Sequence, residues 1–250
     1  MRLLPISCLT AALVAPAGAA WAEEIVLSNG DWLPYLSESL PGYGVISRMV
    51  SDAYASQGIK VRYVFRPWPR ALAEARQLRV DGSVVWSPGK PDSDRTRDFL
   101  YTDVIFHGRS TFFHLKAVPF AWNDWPDLAR WRIGGSAGYE YRFEKTPDVR
   151  IDRGPTDEHC LRKLLAKRID ACAMVEEVGK YVMRVRMTPA EAAQISINSK
   201  PYGSTAYHLI LPKGLPNSER MRIAFNKGLQ KLKDDGSYQR YMRDLEFGNY

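Results

Sequence analysis

"KVRYVFRPWPRALAEARQLRVDGSVVWS" (residues 60–87) carries the pattern on which the fold turns. "KVRYVF" (60–65) reads as a strand. "PWPRALAEARQLR" (67–79) starts with prolines, which suit a first helical turn, and continues with helix formers. "GSVVWS" (82–87) reads as the next strand. Upstream, "EIVLSN" (24–29) is a buried strand, and "GVISRMVSDAYASQG" (44–58) is a helix with Ile46, Met49, Val50, Ala53 and Tyr54 at helical spacing. The first part therefore runs β-α-β-α-β.

The order recurs. "WRIGGS" (131–136) is a strand entering a Gly-rich turn, and "YEYRFEK" (139–145) is expected to open a helix. "VRIDRG" (149–154), "TDEHCLRKLLAK" (156–167) and "RIDACAMV" (168–175) read as strand, helix and strand. "TPAE" (188–191) has the form of a capping box with proline at the first helical position. Two extended stretches, "TDVIFHGRSTFFHL" (102–115) and "STAYHLILP" (204–212), lie where connections between the units belong. "NSERMRIAFNKGLQKL" (217–232) sets Met221, Phe225, Leu229 and Leu232 on one face, and a last helix follows an Asp-Gly turn. Alternating β and α elements predict parallel sheets covered by helices. Two such units predict two lobes, with ligand at the carboxyl ends of the strands.

The N-terminus "MRLLPISCLTAALVAPAGAAWAEE" has the layout of a secretory signal peptide, with cleavage expected after Ala22. The rest of the chain holds no apolar stretch of spanning length, so an exported, periplasmic protein is expected. The formal charge of +7 is spread among acids without a basic block. That favours anionic small partners and argues against nucleic acid. Beyond the leader remain Cys160 and Cys172, which in an exported chain are either bridged or two buried thiols. Two cysteines alone make no metal site, no histidine pair has ligand spacing, and no dinucleotide or phosphate-loop fingerprint is present. No cofactor is called for.

Three stretches have residues suited to chemistry. "SNGDWLPY" (28–35) puts Trp32 and Tyr35 after the first strand, either to stack on a ligand or to fill the core. "WSPGKPDSDRTRDF" (86–99) is a loop whose arginines either fork onto a carboxylate or form a surface ion-pair patch. "GGSAGY" (134–139) offers backbone N–H groups to an anion. It also matches the nucleophile-elbow pattern of serine hydrolases, with His159 and His208 downstream, but lacks a glycine-rich oxyanion segment.

In order along the chain, "WLPY", "VDGSVVW", "DRTRDFLYT", "DLARWRIGGSAGY", "LLAKRIDACAMVEE" and "FNKGLQKLKDDGSYQRYM" resemble the bacterial extracellular solute-binding proteins of family 3. The resemblance implies an α/β, two-lobed periplasmic-binding-protein fold of type II, with two hinge strands and a cleft. It implies lobe one from 23–112 and 206–250, and lobe two from 113–205. Arg95 matches the arginine that grips a ligand carboxylate, Trp32 a stacking aromatic and Asn29 a polar residue beside the ligand. Ser87 lies near the carboxylate-holding segment, where this chain is about two residues longer, and Trp86 precedes it. Trp68 and Arg70 fall near the cleft rim. Ser136, Gly138 and Tyr139 match the donor loop of lobe two. One departure matters. The ammonium-binding aspartate expected after "RIDA" is Val175 here, with Glu176 and Glu177 directly behind it. The resemblance implies a monomeric receptor for a small anionic or zwitterionic solute, serving a membrane permease or a sensor. A cleft enzyme of dehydratase type, drawing on Glu140, Glu144, Glu176 or His159, is the alternative.

Overall fold

The computed structural model describes residues 23–89, 91–137 and 139–249. The signal-peptide reading and Gly138 lie outside the described residues. The first unit follows the expected order. It comprises β1 (Glu23–Asn29), α1 (Val45–Ala55), β2 (Ile59–Phe65), α2 (Trp68–Arg76) and β3 (Gly82–Trp86). β1 pairs in parallel with both β2 and β3. The charged stretch after β3 is not all loop. Ser93 accepts a hydrogen bond from the Thr96 N–H and starts a short helix, α3 (Asp94–Asp98), followed by β4 (Phe99–Tyr101).

β5 (Phe106–Leu115) then enters the second unit, which holds β6 (Ile133–Ser136), β7 (Ile151–Gly154), α4 (Asp157–Leu165), β8 (Ala171–Val175), α5 (Glu176–Arg186), α6 (Pro189–Ala192) and β9 (Ile195–Ile197). β6 is parallel to β7 and β8, as β1 is to β2 and β3. The expected capping box is formed: Thr188 and Glu191 bond each other's backbone N–H groups at the start of α6. The helix expected over residues 139–145 is absent. Tyr141 and Phe143 are buried while Arg142 between them is exposed, a period of two that a helix does not allow. The two rings fill the core beneath Phe112 and Tyr202, and Pro147 closes the stretch.

β10 (Gly203–Pro212) returns to the first unit, and α7 (Ser218–Asp234) and α8 (Ser237–Phe247) complete it. β5 and β10 are the two connections. Phe106–Ser110 pairs antiparallel with Gly203–Tyr207. Beyond Ser110, β5 pairs with β8, and from His208 onward β10 pairs with β3 and β4. β10 thus pairs with strands of both halves of one sheet, and β5 continues it to β8 and β9. One core gathers α1, α7 and β1, around Ile25, Met49, Tyr54 and Phe225. Two others, around Phe112 and around Phe113, fill the second lobe on opposite faces of β5.

Cys160 of α4 and Cys172 of β8 are bridged, with a Cα–Cα distance of 6.1 Å. Both are fully buried. The bridge closes a loop of sequence separation 12, which on chain-entropy grounds stabilises by about 3 kcal/mol. The double variant Cys160→Ala/Cys172→Ala is expected to lose about that amount in urea unfolding. A loss below about 1 kcal/mol would contradict this role.

Candidate functional site

The carboxyl ends of β1 and β3 build one wall. Asn29 ends β1 fully buried; its amide donates to Ser47 Oγ at 3.0 Å and accepts from the Gly30 N–H at 2.9 Å. It is turned inward and holds the turn. A Cβ on Gly30 would lie 2.6 Å from the Trp68 ring, so glycine is what lets that indole lie over the backbone. Trp68 Nε1 donates to the Asp31 carbonyl at 3.2 Å, and its ring meets Trp86 edge-on at 5.5 Å. Trp86 Nε1 donates to Ser83 Oγ at 2.8 Å. The Arg95 guanidinium lies over Trp86, 5.4 Å from the ring centre. Ser87 is half-buried beside it.

The loop's two arginines divide sharply. Arg97 is exposed and pairs with Asp94 and Asp98, and Asp98 also takes Arg76 at 2.9 Å. Arg95 pairs with no carboxylate among the described residues. Among the described residues its guanidinium makes a single long contact, to the Pro88 carbonyl at 3.5 Å, and its buried Nε has no acceptor.

The second wall comes from lobe two. Trp32 Nε1 donates to Tyr139 Oη at 2.9 Å, joining residues 107 positions apart. Tyr139 Oη donates on to Asp157 Oδ2 at 3.3 Å, and Ser136 Oγ donates to Asp157 Oδ1 at 2.6 Å. Arg153 pins the connecting turn, donating to the carbonyls of Ser136 and Tyr139 and pairing with Glu144 at 2.7 Å. Trp32 packs on Tyr35 at 4.6 Å and on Tyr207 of β10 at 4.9 Å. Tyr35 is only 1 % exposed and stacks on Phe106, so of the two aromatics after β1 it is the core residue. A small cavity of about 70 Å³ adjoins Tyr139, Val175 and Tyr207.

No family model matches the chain, and no curated protein matches it by sequence. Solved structures do. A histidine kinase sensor domain with similarity to periplasmic binding proteins superposes with a TM-score of 0.72 at 18 % identity, covering 90 % of this chain and 96 % of its own. An amino acid ABC transporter substrate-binding protein from Streptococcus pneumoniae bound to L-arginine gives 0.67 at 16 %, covering 89 % and 94 %. The GluR0 ligand-binding core from Nostoc punctiforme in complex with L-glutamate gives 0.67 at 16 %, covering 87 % and 96 %. The chain has the two-lobed fold of the periplasmic binding proteins.

In that binding-protein fold β5 and β10 are the crossing strands, and the Trp32–Tyr139 contact spans the cleft between lobes. Glu176, expected as a substitute for an ammonium-binding aspartate, is committed elsewhere. It pairs with Arg109 of β5 and with Lys180 at 2.8 Å, tying the head of α5 to a crossing strand. Of the donor loop expected around Gly138, only the neighbouring N–H groups are described. The Ser136 N–H is taken by Tyr141 Oη at 2.7 Å and the Ala137 N–H by the Gly154 carbonyl at 2.8 Å. Neither remains for an anion. Ser136 donates to a carboxylate, and among the described residues no imidazole bonds it. His208 instead shares a hydrogen bond with the Thr102 carbonyl. The Ser–His pair of a nucleophile elbow is not made.

Asp157 was not legible as a site residue. Behind Thr156, which caps α4 through the His159 N–H, it reads as an ordinary first-turn acid. Burial holds its carboxyl above the usual carboxylate range, against the pull of the Ser136 and Tyr139 hydroxyls. A folded pKa above the unfolded one means the folded chain keeps the proton longer. Stability from this group is whole below the unfolded pKa and declines as pH rises through the folded one. Asp157→Asn has no proton to lose. Its stability relative to wild type is therefore expected to increase from about pH 4 to about pH 7. Urea unfolding at both pH values reads this, and a difference that does not change with pH would refute it.

Proposed function

We propose that the protein is an exported receptor that closes two lobes on a small carboxylate-bearing solute. The lobes take residues 23–112 with 206–250, and 113–205. The observation that carries the reading is Arg95: a guanidinium at the carboxyl edge of a sheet, stacked on Trp86, with a buried Nε lacking an acceptor. Its neighbour Arg97 has its acids, and Arg95 has none among the described residues. A guanidinium so placed offers a planar fork matched to a carboxylate. Trp86 and, edge-on to it, Trp68 supply flat apolar surface beside it.

Among the described residues no helix is long and apolar enough to cross a membrane. On this reading the Trp32–Tyr139 hydrogen bond opens to admit a solute, and β5 and β10 are the strands that bend. Delivery to an ABC-type permease is the leading role, supported by the likeness to amino acid transporter proteins. Ligand sensing for a signalling partner is supported by the likeness to a histidine kinase sensor domain. Calorimetry against amino acids and organic acids tests the receptor reading. Binding at micromolar concentration is expected, and no heat from any carboxylate at millimolar concentration would sink it.

A further inference from the structure

Besides the Trp32–Tyr139 bond, the lobes also meet at the far end of α5. The head of this helix is tied to the crossing strand β5, through Glu176 to Arg109. One turn on, Gly179 lies directly against Phe113 of β5, where an added Cβ would collide with the ring. No side chain separates helix from strand there, so α5 moves as one body with the lobe-two part of β5. Val178, its neighbour, belongs to the lobe-one core of Met49 and Phe225. Leu33 of lobe one in turn packs on the cluster that holds Tyr181 and Val182. α5 therefore runs along the junction between the lobes.

Arg184 stands about 9 Å further along this helix than Val178. Its guanidinium reaches the tail of α8, a helix that packs on α1 and α7 in lobe one. Arg184 Nη2 donates to the Glu246 carbonyl at 3.4 Å. A second observation concerns Gly248, which ends α8 in the left-handed conformation at φ +79°. A Cβ on Gly248 would collide with Arg184 Nη1. The helix end thus admits the guanidinium because no side chain stands in its way. The last turn of a helix leaves carbonyls without partners and has partial negative charge, which suits a cation.

We propose that Arg184 is a positioning residue for lobe closure: with the C-terminus of α8 it forms a second interlobe tie, which favours the arrangement in which Trp32 also meets Tyr139. Bending at β5 and β10 leaves groups beside those strands nearly in place and displaces groups farther out. Val178 is of the first kind and Arg184 of the second. At 3.4 Å the bond has little slack, and a small rotation ends it. The inference goes beyond the receptor reading and shares only its hinge.

The test is the interlobe distance in the unliganded protein, read by double electron–electron resonance between spin labels at Gln57→Cys in lobe one and Arg168→Cys in lobe two. Both positions are exposed, and Cys160 and Cys172 are bridged. Arg184→Ala is expected to shift the balance of short to long distances about two- to fivefold toward the longer ones. Arg184→Glu sets an anion at a helix C-terminus and is expected to shift it further. Arg184→Lys keeps a cation there and should hold most of the wild-type balance. Arg186→Ala, which removes an exposed charge from the same helix end, should leave it unchanged. A melting scan with a retained transition shows that each variant is folded. An unchanged balance in Arg184→Glu overturns the proposal. So does a shift toward shorter distances, or an equal shift in Arg186→Ala. None of these readings needs a ligand, so a calorimetric search that finds no solute would sink the receptor reading and leave this one to be decided by the distances.

Discussion

Arg95→Ala is expected to raise the dissociation constant of a carboxylate ligand by about 30- to 1,000-fold, a loss of about 2–4 kcal/mol. Most of that loss comes from leaving a desolvated carboxylate without its fork of donors. The unliganded protein should barely notice the change. Among the described residues Arg95 contributes one marginal hydrogen bond and a stack on Trp86, so its melting temperature is expected to hold within about 2 °C. Arg95→Lys keeps the charge and loses the planar fork, and is expected to recover only part of the affinity. Arg97→Ala is the control. Its exposed pairs with Asp94 and Asp98 are of the kind worth less than about 1 kcal/mol, and ligand affinity should not change. Arg95→Ala binding within about threefold of wild type would remove the carboxylate clamp from the reading.

Gly228→Ala is expected to be the most damaging small substitution in lobe one. α7 crosses α1 at this glycine, and an added Cβ would press on the Ala53 carbonyl, with its carbon only 2.6 Å away. The obstacle is backbone, so no rotamer change relieves it; the helices must separate. That disturbs the shared core of Met49, Ala53, Phe225 and Leu229. Overpacking costs about 1–3 kcal/mol where side chains can adjust, and the upper end or more is expected here. For a chain of this size the melting temperature should fall by about 5–10 °C. Gly58→Ala separates crowding from conformation. Gly58 sits at φ +76° with nothing within 4 Å, so its cost is the left-handed backbone alone, about 1 kcal/mol. Equal losses at the two glycines would show that the α1–α7 approach is not the cause.

Much of the frame is legible in the sequence. Strand–helix–strand order in residues 60–87 led to parallel pairing of β1 with β2 and β3, and the second unit repeated it. The Thr188–Glu191 box and the helical stripe of α7 are local features, and both formed as read. The failures were also local in origin. "YEYRFEK" has helix-compatible residues, but burial of Tyr141 and Phe143 under Phe112 outweighs that weak preference. The short helix α3 arose from a Ser93 cap inside what reads as a loop.

The candidate site was legible only as a set of residue types. Trp68, Trp86 and Arg95 come together beyond the ends of β1 and β3, while Asn29 and Glu176 find partners within the fold. Asn29 finds Ser47 and the Gly30 N–H; Glu176 finds Arg109 and Lys180. An amide or a carboxylate bonds whichever group the fold brings within 3 Å or so. The partner Arg109 is 67 positions away in the chain, and Tyr139 is 107 positions from Trp32. Order, capping and apolar spacing are interactions between near neighbours along the chain, so the elements and their two-unit repeat are written in the sequence. Which hydroxyls an acid meets, which N–H is already spent and which arginine lacks an acid depend on contacts between distant segments. Those were settled when the strands β5 and β10 brought the two lobes together.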